Sequence, residues 1–364
     1  MGTGGFAGNK FRPVRGAPES GNLRSRNKRV TANERERDVS KPVVLVTAAT
    51  VSDLAQKLLR EGGADIEFMP GVVDEDALAA AVTRDDVAAV LLRGSPPLTE
   101  RVFAAARGLK MVAKHGAGVD SVDLASATRH GIAVMVAGGA NADAVAEHAL
   151  TMMLCLAREL PRFDRETRRG AWRDLKHFTR EFHTLTVGIV GYGQIGERTA
   201  RLVQACGAQV VVHTRAKPVL PEGMALEPDL DRLLECVDIL SLHCPLTTKT
   251  RGMISAAQFA RMKPGAFLVN TARGPIIDEP ALVAALHGGK LAGAGLDTFA
   301  TEPPDAANPL FALPNVLVTP HIAAATTDAM VRMGTIAANN IISYLRGEVY
   351  EKRNFLNPEV FRGK

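Results

Sequence analysis

Aromatic side chains, cysteines and long apolar runs are all scarce in this sequence of 364 residues. Aromatic residues make up only 5% of the chain although 46% of it is hydrophobic, which is typical of a globular protein rich in Ala, Val and Leu. No apolar run approaches the roughly 20 residues that a membrane-spanning helix needs, which argues against a membrane protein. A chain of this length can form two ordinary domains with sizeable cores.

The few cysteines form no recognisable site. Cys155, Cys206, Cys236 and Cys244 show neither a CxxC pair nor the spacing of metal ligands, so the sequence predicts no metal centre. Each of them lies in an apolar stretch with a helix-like or strand-like pattern. We therefore expect buried, reduced thiols and a cytoplasmic location.

The formal net charge of +5 is concentrated at the start of the chain. Residues 1–41 carry ten Lys or Arg and four Asp or Glu, a net charge of +6, so the remaining residues together carry −1. This segment is polar, rich in glycine and without an apolar period, which predicts a disordered basic tail. An organellar presequence or a nucleic-acid-binding arm is the alternative interpretation. For the nearly neutral remainder, which has no DNA-reading motif, we expect neither nucleic acid nor a membrane as a partner.

Short apolar runs alternate with helical patterns in the first part of the chain. The runs are typical of strands that a parallel sheet buries on both faces, and they occupy residues 43–47, 87–92, 111–113 and 132–136. Helical patterns at 74–82 and 99–106 open with Thr, Asp or Glu, which favour a helix start. This alternation predicts a parallel α/β domain.

A second alternation follows a long and mostly apolar helical pattern at residues 144–158. Its predicted strands occupy residues 186–190, 209–212, 237–242, 266–269, 292–296 and 316–318. Six such strands are typical of a doubly wound sheet that binds a dinucleotide. We place the final helix, at 329–345, back on the first domain. The predicted domains are therefore 42–140 plus 326–364, and 141–325.

A glycine fingerprint, GYGQIG, follows the first predicted strand of the second domain. In this context Gly191 permits a tight turn, Gly193 lets the backbone approach a pyrophosphate, and Gly196 lets helix and strand pack closely. The helix that begins at Gln194 and Ile195 offers free N–H groups to the phosphates. The fingerprint predicts a dinucleotide site.

The next strand, in QVVVHTRAK, lacks the acid that usually follows such a fingerprint by about 20 residues and bonds the ribose hydroxyls of NAD. Thr214 stands there instead, followed by Arg215 and Lys217. Two cations in place of a carboxylate favour a 2′-phosphate, so NADP(H) is the preferred cofactor. The alternative is NAD(H) held by the Thr214 hydroxyl, with the two cations in solvent.

Polar residues follow the other strands of this domain, where ligands of open α/β sheets bind. Arg273 presents a planar fork of donors that suits a carboxylate and a neighbouring carbonyl oxygen. His321 can exchange a proton with that oxygen, and Glu302 can fix the imidazole tautomer and raise its pKa. Other residues expected to line the crevice are His243, Cys244, Pro245, Asn270, Thr271, Ala272 and Asp297.

Taken together, these motifs resemble those of the D-isomer-specific 2-hydroxyacid dehydrogenase family, over about residues 43–360. The segments that carry the resemblance are KHGAGVDSVD, NADAVAEHAL, VGIVGYGQIG, LHCPLT, VNTARGPIIDEPAL, GLDTFATEPP and TPHIAAAT. The resemblance implies a discontinuous flavodoxin-like substrate domain, a doubly wound Rossmann domain for NAD(P), and a homodimer formed through the latter. It also implies an oxidoreductase that moves a hydride between the cofactor and a D-2-hydroxy acid or 2-keto acid.

The resemblance assigns roles residue by residue. His321 becomes the acid/base, Glu302 its support and Arg273 the substrate-binding cation, while Asp297 touches the nicotinamide carboxamide. The loop that presents backbone N–H groups to the substrate carboxylate matches His115, Gly116, Ala117 and Gly118. The chain stops near Asn357, so we expect no added C-terminal regulatory domain.

The substrate stays open at this point. Arg93 and Lys114 could meet an anionic 3-substituent, as in 3-phosphoglycerate, or could be partners in structural ion pairs. The cofactor preference points instead to the reduction of hydroxypyruvate or glyoxylate. The alternative function is a dinucleotide-sensing scaffold like the C-terminal-binding-protein corepressors, which share this fold.

Overall fold

The computed structural model describes residues 41–361, except Val72, Ser95, Asp174 and Leu175. The predicted tail therefore lies almost wholly outside the described residues. The described part of the chain belongs to one compact unit and contains two sheets.

The first sheet has five parallel strands in the order β2-β1-β3-β4-β5, which is the flavodoxin-like order. Its strands are β1 (Val43–Val46), β2 (Asp65–Phe68), β3 (Val87–Leu92), β4 (Met111–Lys114) and β5 (Ala133–Val136). The connecting helices are α1 (Asp53–Glu61), α2 (Glu75–Ala81), α3 (Glu100–Ala105) and α4 (Leu124–Arg129). All residues of β1, β3, β4 and β5 are buried, as expected for a parallel sheet covered on both faces.

The second sheet has seven parallel strands in the order β12-β11-β10-β9-β6-β7-β8. Its strands are β6 (Thr186–Val190), β7 (Gln209–His213), β8 (Met224–Leu226), β9 (Ile239–Leu242), β10 (Ala266–Asn270), β11 (Leu291–Leu296) and β12 (Val316–Val318). Its helices are α5 (Ala142–Ala157), α6 (Leu160–Arg168), α7 (Gln194–Ala205), α8 (Leu230–Cys236), α9 (Ala256–Arg261) and α10 (Glu279–His287). The strand order reverses between β6 and β9, which opens a crevice at their carboxyl ends. The predicted α/β class with two parallel sheets is confirmed.

The last helix, α11 (Thr327–Leu345), packs on the first sheet. Its residues Ala337, Ala338 and Ile341 are fully buried in a core that includes Val44 and Met111. This packing brings the start of α11 beside the turn that follows β12.

Helix α5 contributes to the cores of both halves. Met152 and Met153 are buried with residues of the second sheet, such as Ile189. Ala144, near one end of the same helix, packs in a small cluster with Met333 of α11. One apolar helix therefore contacts both the second sheet and the helix that covers the first.

Two strands, β2 and β8, were missed by the sequence analysis. Both lie at a sheet edge, where side chains are only partly covered: all four residues of β2 are half-buried and two of the three in β8 are exposed. The sequences DIEF and MAL therefore lack the continuous apolar run that marks a buried strand.

The expectation of buried cysteines was wrong. Cys206 and Cys236 are exposed, and Cys155 and Cys244 are half-buried; all four are free. Cys206 caps the end of α7 and Cys236 is the last residue of α8, and helix ends lie at the surface. In the described part of the chain, no helix is long and apolar enough to cross a membrane and no group of side chains could hold a metal ion.

Candidate active site

The glycine turn lies at the carboxyl end of β6. Gly191 has a φ of +95°, and a Cβ there would lie 2.6 Å from the backbone nitrogen of Cys244. A Cβ at Gly196 would overlap the carbonyl oxygen of Gly191. Gly193 is the N-cap of α7, with open space around it and no side chain capping the helix. The turn therefore leaves a helix N-terminus free, where a pyrophosphate can accept backbone hydrogen bonds.

The wall opposite this turn is formed by the residues after β9. Ser241 Oγ lies 2.8 Å from His243 Nε2, whereas His243 Nδ1 is buried without a partner in the described part of the chain. Burial lowers the pKa of His243 to about 4, so the ring is neutral near pH 7. Cys244 is half-buried and Pro245 is exposed beside it. A neutral ring with one unused nitrogen suits the wall of a dinucleotide site.

Gln194 links the glycine turn to the rest of the crevice. Its side-chain oxygen lies against Gly139, where any Cβ would overlap it. Ile195 is half-buried just behind it. A larger residue than glycine at position 139 would therefore displace the side chain of Gln194.

The end of β7 places three polar residues near the same turn. Thr214 is half-buried, while Arg215 and Lys217 are exposed. Neither cation has an ion-pair partner among the described residues. Burial raises the pKa of the Cys244 thiol, and the positive charge of Arg215 acts on it in the opposite direction, so the guanidinium lies close to the crevice. Arg215 is thus free to meet an anion there, and Lys217 lies two residues further along the chain.

The turn after β10 holds Arg273. Asn270 is fully buried, accepts a hydrogen bond from the Ala272 backbone N–H (3.0 Å) and donates one to the Arg273 carbonyl (2.9 Å). Arg273 donates from Nη1 to the Ala272 carbonyl (2.7 Å) and from Nε to Asp120 Oδ2 (2.6 Å). Thr271 Oγ1 is buried and has no hydrogen-bond partner among the residues that the structure describes.

A buried carboxylate shapes the turn that carries the acid/base candidate. Asp297 Oδ1 accepts hydrogen bonds from Thr319 Oγ1 (2.6 Å) and the Ile322 N–H (2.8 Å), and Oδ2 accepts one from the Ala323 N–H (2.9 Å). Between these donors His321 has a left-handed backbone with a φ of +54°. Asp297 thus holds an unfavourable backbone conformation in place.

His321 and Glu302 form a close pair. His321 Nδ1 lies 2.6 Å from Glu302 Oε2, and the Phe299 N–H donates to the other carboxylate oxygen at 3.0 Å. The hydrogen bond with Glu302 raises the pKa of His321, although burial opposes it. Burial alone would raise the pKa of Glu302, but its hydrogen bonds with His321 and Phe299 prevail and lower it. Arg273 lies close enough to reduce both pKa values electrostatically.

The loop after β4 faces Arg273 from the first sheet. The backbone N–H groups of Ala117 and Gly118 have no backbone hydrogen-bond partner among the described residues. A Cβ at Gly118 would overlap Nη2 of Arg273, so this glycine lets the guanidinium approach the loop. Gly116 has a φ of +138° and turns the chain between His115 and these two amides. Amides and guanidinium together can surround a carboxylate.

Three basic residues lie behind this loop. Burial and the positive charge of Arg93 lower the pKa of His115 to about 4. Burial, and then the charge of Arg273, lower the pKa of Lys114 to about 8. Lys114 Nζ donates to the Gly94 carbonyl (2.6 Å). Within the described residues neither Arg93 nor Lys114 pairs with an acid, so the structural ion pairs considered as an alternative are not formed.

Some residues of the site were not predicted from the sequence. Asp120 binds Arg273, and His148 Nε2 lies 3.1 Å from Thr319 Oγ1 beside the buried Asp297 carboxylate. Both occur in the segments KHGAGVDSVD and NADAVAEHAL. Their position in these motifs was therefore the signal that could have indicated them. The sequence did not indicate what each side chain contacts.

Fold and site together define a two-sheet α/β protein with a glycine turn of the dinucleotide-binding type, a histidine–carboxylate pair and an arginine in one crevice. A family model for the D-isomer specific 2-hydroxyacid dehydrogenase NAD binding domain matches residues 150–323. The chain is 36% identical over 309 residues to the D-3-phosphoglycerate dehydrogenase of Archaeoglobus fulgidus, a match that covers 83% of this chain and 57% of that relative.

Two solved structures are similar over most of their length. The TT0316 protein from Thermus thermophilus has a TM-score of 0.80 at 36% identity, covering 86% of this chain and 99% of the other. An acyclic imino acid reductase in complex with NADPH and D-Arg has a TM-score of 0.79 at 25% identity, with the same coverage. The chain belongs to the D-isomer specific 2-hydroxyacid dehydrogenase family. It spans just over half the length of the A. fulgidus relative.

The pairing of His321 with Glu302 predicts how His321 titrates when the carboxylate is removed. Glu302→Gln removes the charge that stabilises the imidazolium, so the pKa of His321 should fall to its ordinary range or below. NMR titration of histidine-labelled protein measures this change. His115, with a pKa of about 4, is an internal reference that should not move. An unchanged His321 pKa would show that Glu302 does not stabilise the protonated ring.

Proposed function

We propose that the protein is an NAD(P)-dependent oxidoreductase that interconverts D-2-hydroxy acids and 2-keto acids. The observation that carries this proposal is the pairing of His321 with Glu302 within electrostatic reach of Arg273, in the crevice beside the glycine turn. The open N-terminus of α7 and the unpartnered hydroxyl of Thr271 fit a dinucleotide. When bound, the nicotinamide supplies or accepts the hydride.

Side chains and backbone amides of the protein then bind the substrate and transfer the proton. Nη2 of Arg273 and the amides of Ala117 and Gly118 bind the substrate carboxylate from two sides. Protonated His321 gives its proton to the carbonyl oxygen during reduction, and the neutral ring takes it back during oxidation. Glu302 holds the ring by Nδ1, which leaves Nε2 to face the substrate.

The role of His321 predicts a large loss on its removal. His321→Ala should lower kcat/KM for reduction of glyoxylate or hydroxypyruvate by about 10² or more, because positioned acid–base groups contribute 10² to 10⁴. In the parent, reduction should slow as pH rises through the raised pKa of His321, since the protonated ring is the donor.

The matched control is His130→Ala, which removes an exposed His–Glu pair of similar geometry, with His130 Nε2 2.8 Å from Glu100. That variant should keep parental rates. A loss below about tenfold for His321→Ala would contradict the assigned role, given the usual size of acid–base contributions.

NADP(H) is the proposed cofactor. The support is that Arg215 and Lys217 have no ion-pair partner among the described residues, that the charge of Arg215 acts on Cys244 in the crevice, and that Thr214 rather than an acid directly follows β7. The similar imino acid reductase structure holds NADPH. The opposite preference, for NAD(H), would need Thr214 alone to bind the ribose.

This preference predicts the outcome of removing the two cations. The double variant Arg215→Ala, Lys217→Ala should lower kcat/KM with NADPH by about tenfold or more, because hydrogen bonds to charged groups contribute about 1.5–3 kcal/mol. The value with NADH should change far less. Lys57→Ala, which removes an exposed lysine of α1, is the control. A parent enzyme that prefers NADH would contradict the proposal.

An acid with an anionic group at C3, of the 3-phosphoglycerate type, is the proposed substrate class. Arg93 and Lys114 support it, because both are cations beside the glycine loop and neither pairs with an acid in the described chain. The name of the A. fulgidus relative agrees with it. Hydroxypyruvate and glyoxylate lack that anion.

Lys114→Met separates these substrate classes. It should lower kcat/KM for a 3-phosphorylated 2-keto acid by about tenfold or more, the size of one charged hydrogen bond, and change glyoxylate reduction little. Because the pKa of Lys114 is about 8, the preference for the phosphorylated acid should weaken above that pH. Lys110→Met, an exposed lysine just before β4, is the control. Equal losses with both substrates would contradict the assignment.

A homodimer and a cytoplasmic location also remain proposals. Trp172 and Phe178 are 81% and 82% exposed in the segment after α6, and a second copy of the chain would cover such large apolar side chains. A single-chain mass in sedimentation experiments would contradict the dimer.

A further inference from the structure

Arg273 is held from two sides, and one side belongs to the other sheet. Its Nε donates to Asp120 Oδ2 at 2.6 Å, with the two side chains 30% and 47% exposed. Asp120 lies in the loop that follows β4, whereas Arg273 follows β10. The contact therefore crosses the crevice between the two sheets.

These contacts fix the orientation of the guanidinium. Nη1 donates to the Ala272 carbonyl at 2.7 Å, and Nε is occupied by Asp120. A guanidinium is planar with five N–H donors, so restraints at Nε and Nη1 set both its plane and its rotation. The remaining group, Nη2, lies against Gly118, beside the amides with no backbone partner in the described chain. Without Asp120, the Nε edge of Arg273 would be unrestrained, and the guanidinium could rotate about the last bonds of the side chain.

Asp120 also reduces the repulsion between two like charges, those of Arg273 and Lys114. The positive charge of Arg273 lowers the pKa of the nearby Lys114, and the negative charge of Asp120 acts in the opposite direction. Both cations can therefore remain in one site before a substrate anion arrives. The carboxylate reduces their repulsion while occupying the Nε edge of Arg273 and leaving Nη2 exposed to the loop.

We propose that Asp120 is a positioning residue for substrate binding, which holds Arg273 by its Nε edge so that Nη2 faces the glycine loop. The proposal rests on the carboxylate-binding role given to Arg273 in the proposed function. Because the two residues belong to different sheets, the orientation of Arg273 depends on the approach of those sheets. Asp120 itself need not touch the substrate.

Asp120→Asn tests this role because it keeps the size of the side chain and removes its charge. Reduction of hydroxypyruvate by NADPH should show a higher KM and a kcat/KM lowered by about tenfold or more, as for a lost charged hydrogen bond. Asp120→Glu should recover part of the loss. Asp76→Asn, which breaks an exposed ion pair with Arg101, is the control and should behave like the parent. NADPH affinity should stay within about twofold in all three.

A double-mutant cycle with Arg273→Lys gives a readout that a merely structural role would not move. Lysine has no Nε edge that Asp120 could hold. Asp120→Asn should therefore lower kcat/KM only slightly further in the Arg273→Lys background. Additive losses would overturn the proposal, as would parental kinetics for Asp120→Asn.

Binding of oxalate to the NADP⁺ complex, measured by calorimetry, repeats the test without turnover. Oxalate mimics the carboxylate and adjoining oxygen of a 2-keto acid. Asp120→Asn should therefore weaken oxalate binding, in line with the higher KM expected for this variant. If Arg273→Ala bound oxalate as the parent does, the role of Arg273 in the proposed function would fail together with that of Asp120. If Arg273→Ala lost binding and Asp120→Asn did not, only the role of Asp120 would be overturned.

Discussion

The site depends on the hydrogen bonds that the buried carboxylate of Asp297 accepts. Its oxygens accept hydrogen bonds from Thr319 and from two backbone N–H groups on the far side of His321. These bonds hold His321 in a left-handed backbone that a non-glycine residue rarely adopts. In that conformation the ring lies 2.6 Å from Glu302, so a fully buried acid just after β11 helps to fix the position of the histidine–carboxylate pair.

Charge is distributed unevenly across the crevice. Arg93, Lys114 and Arg273 lie near the glycine loop, whose amides at Ala117 and Gly118 have no backbone partner among the described residues. Asp120 is the acid that pairs with Arg273 there. Beside the glycine turn, His243 is half-buried and neutral, and Arg215 and Lys217 follow the end of β7. An anionic substrate and an anionic dinucleotide can thus be attracted to separate positions in one crevice.

Much of the fold could be predicted from the sequence, because a parallel sheet buries continuous apolar runs that are easily recognised. Every strand with such a run was found, and the two that were missed, β2 and β8, lie at edges where burial is partial. The cysteine environments were misjudged for a related reason: an apolar neighbourhood along the chain does not say that a helix end is covered by another element.

Most residues of the candidate site could be predicted from the sequence, whereas fewer of their contacts could be. Strand ends indicated Arg273, Glu302 and His321, because the carboxyl ends of parallel strands meet at one edge. Contacts made across long sequence separations, such as that of Asp120 with Arg273 or His148 with Thr319, depend on how two sheets and a long helix pack. Local patterns carry no information about such packing.

The reaction proposed for this crevice is hydride transfer to a 2-keto acid. The most direct test is NADPH and NADH oxidation by the purified full chain with a panel of 2-keto acids, including glyoxylate, hydroxypyruvate and a 3-phosphorylated acid. We expect turnover that depends on His321 and is fastest with NADPH and the phosphorylated acid. Dinucleotide binding without turnover of any acid in the panel would contradict it and favour a dinucleotide-sensing scaffold.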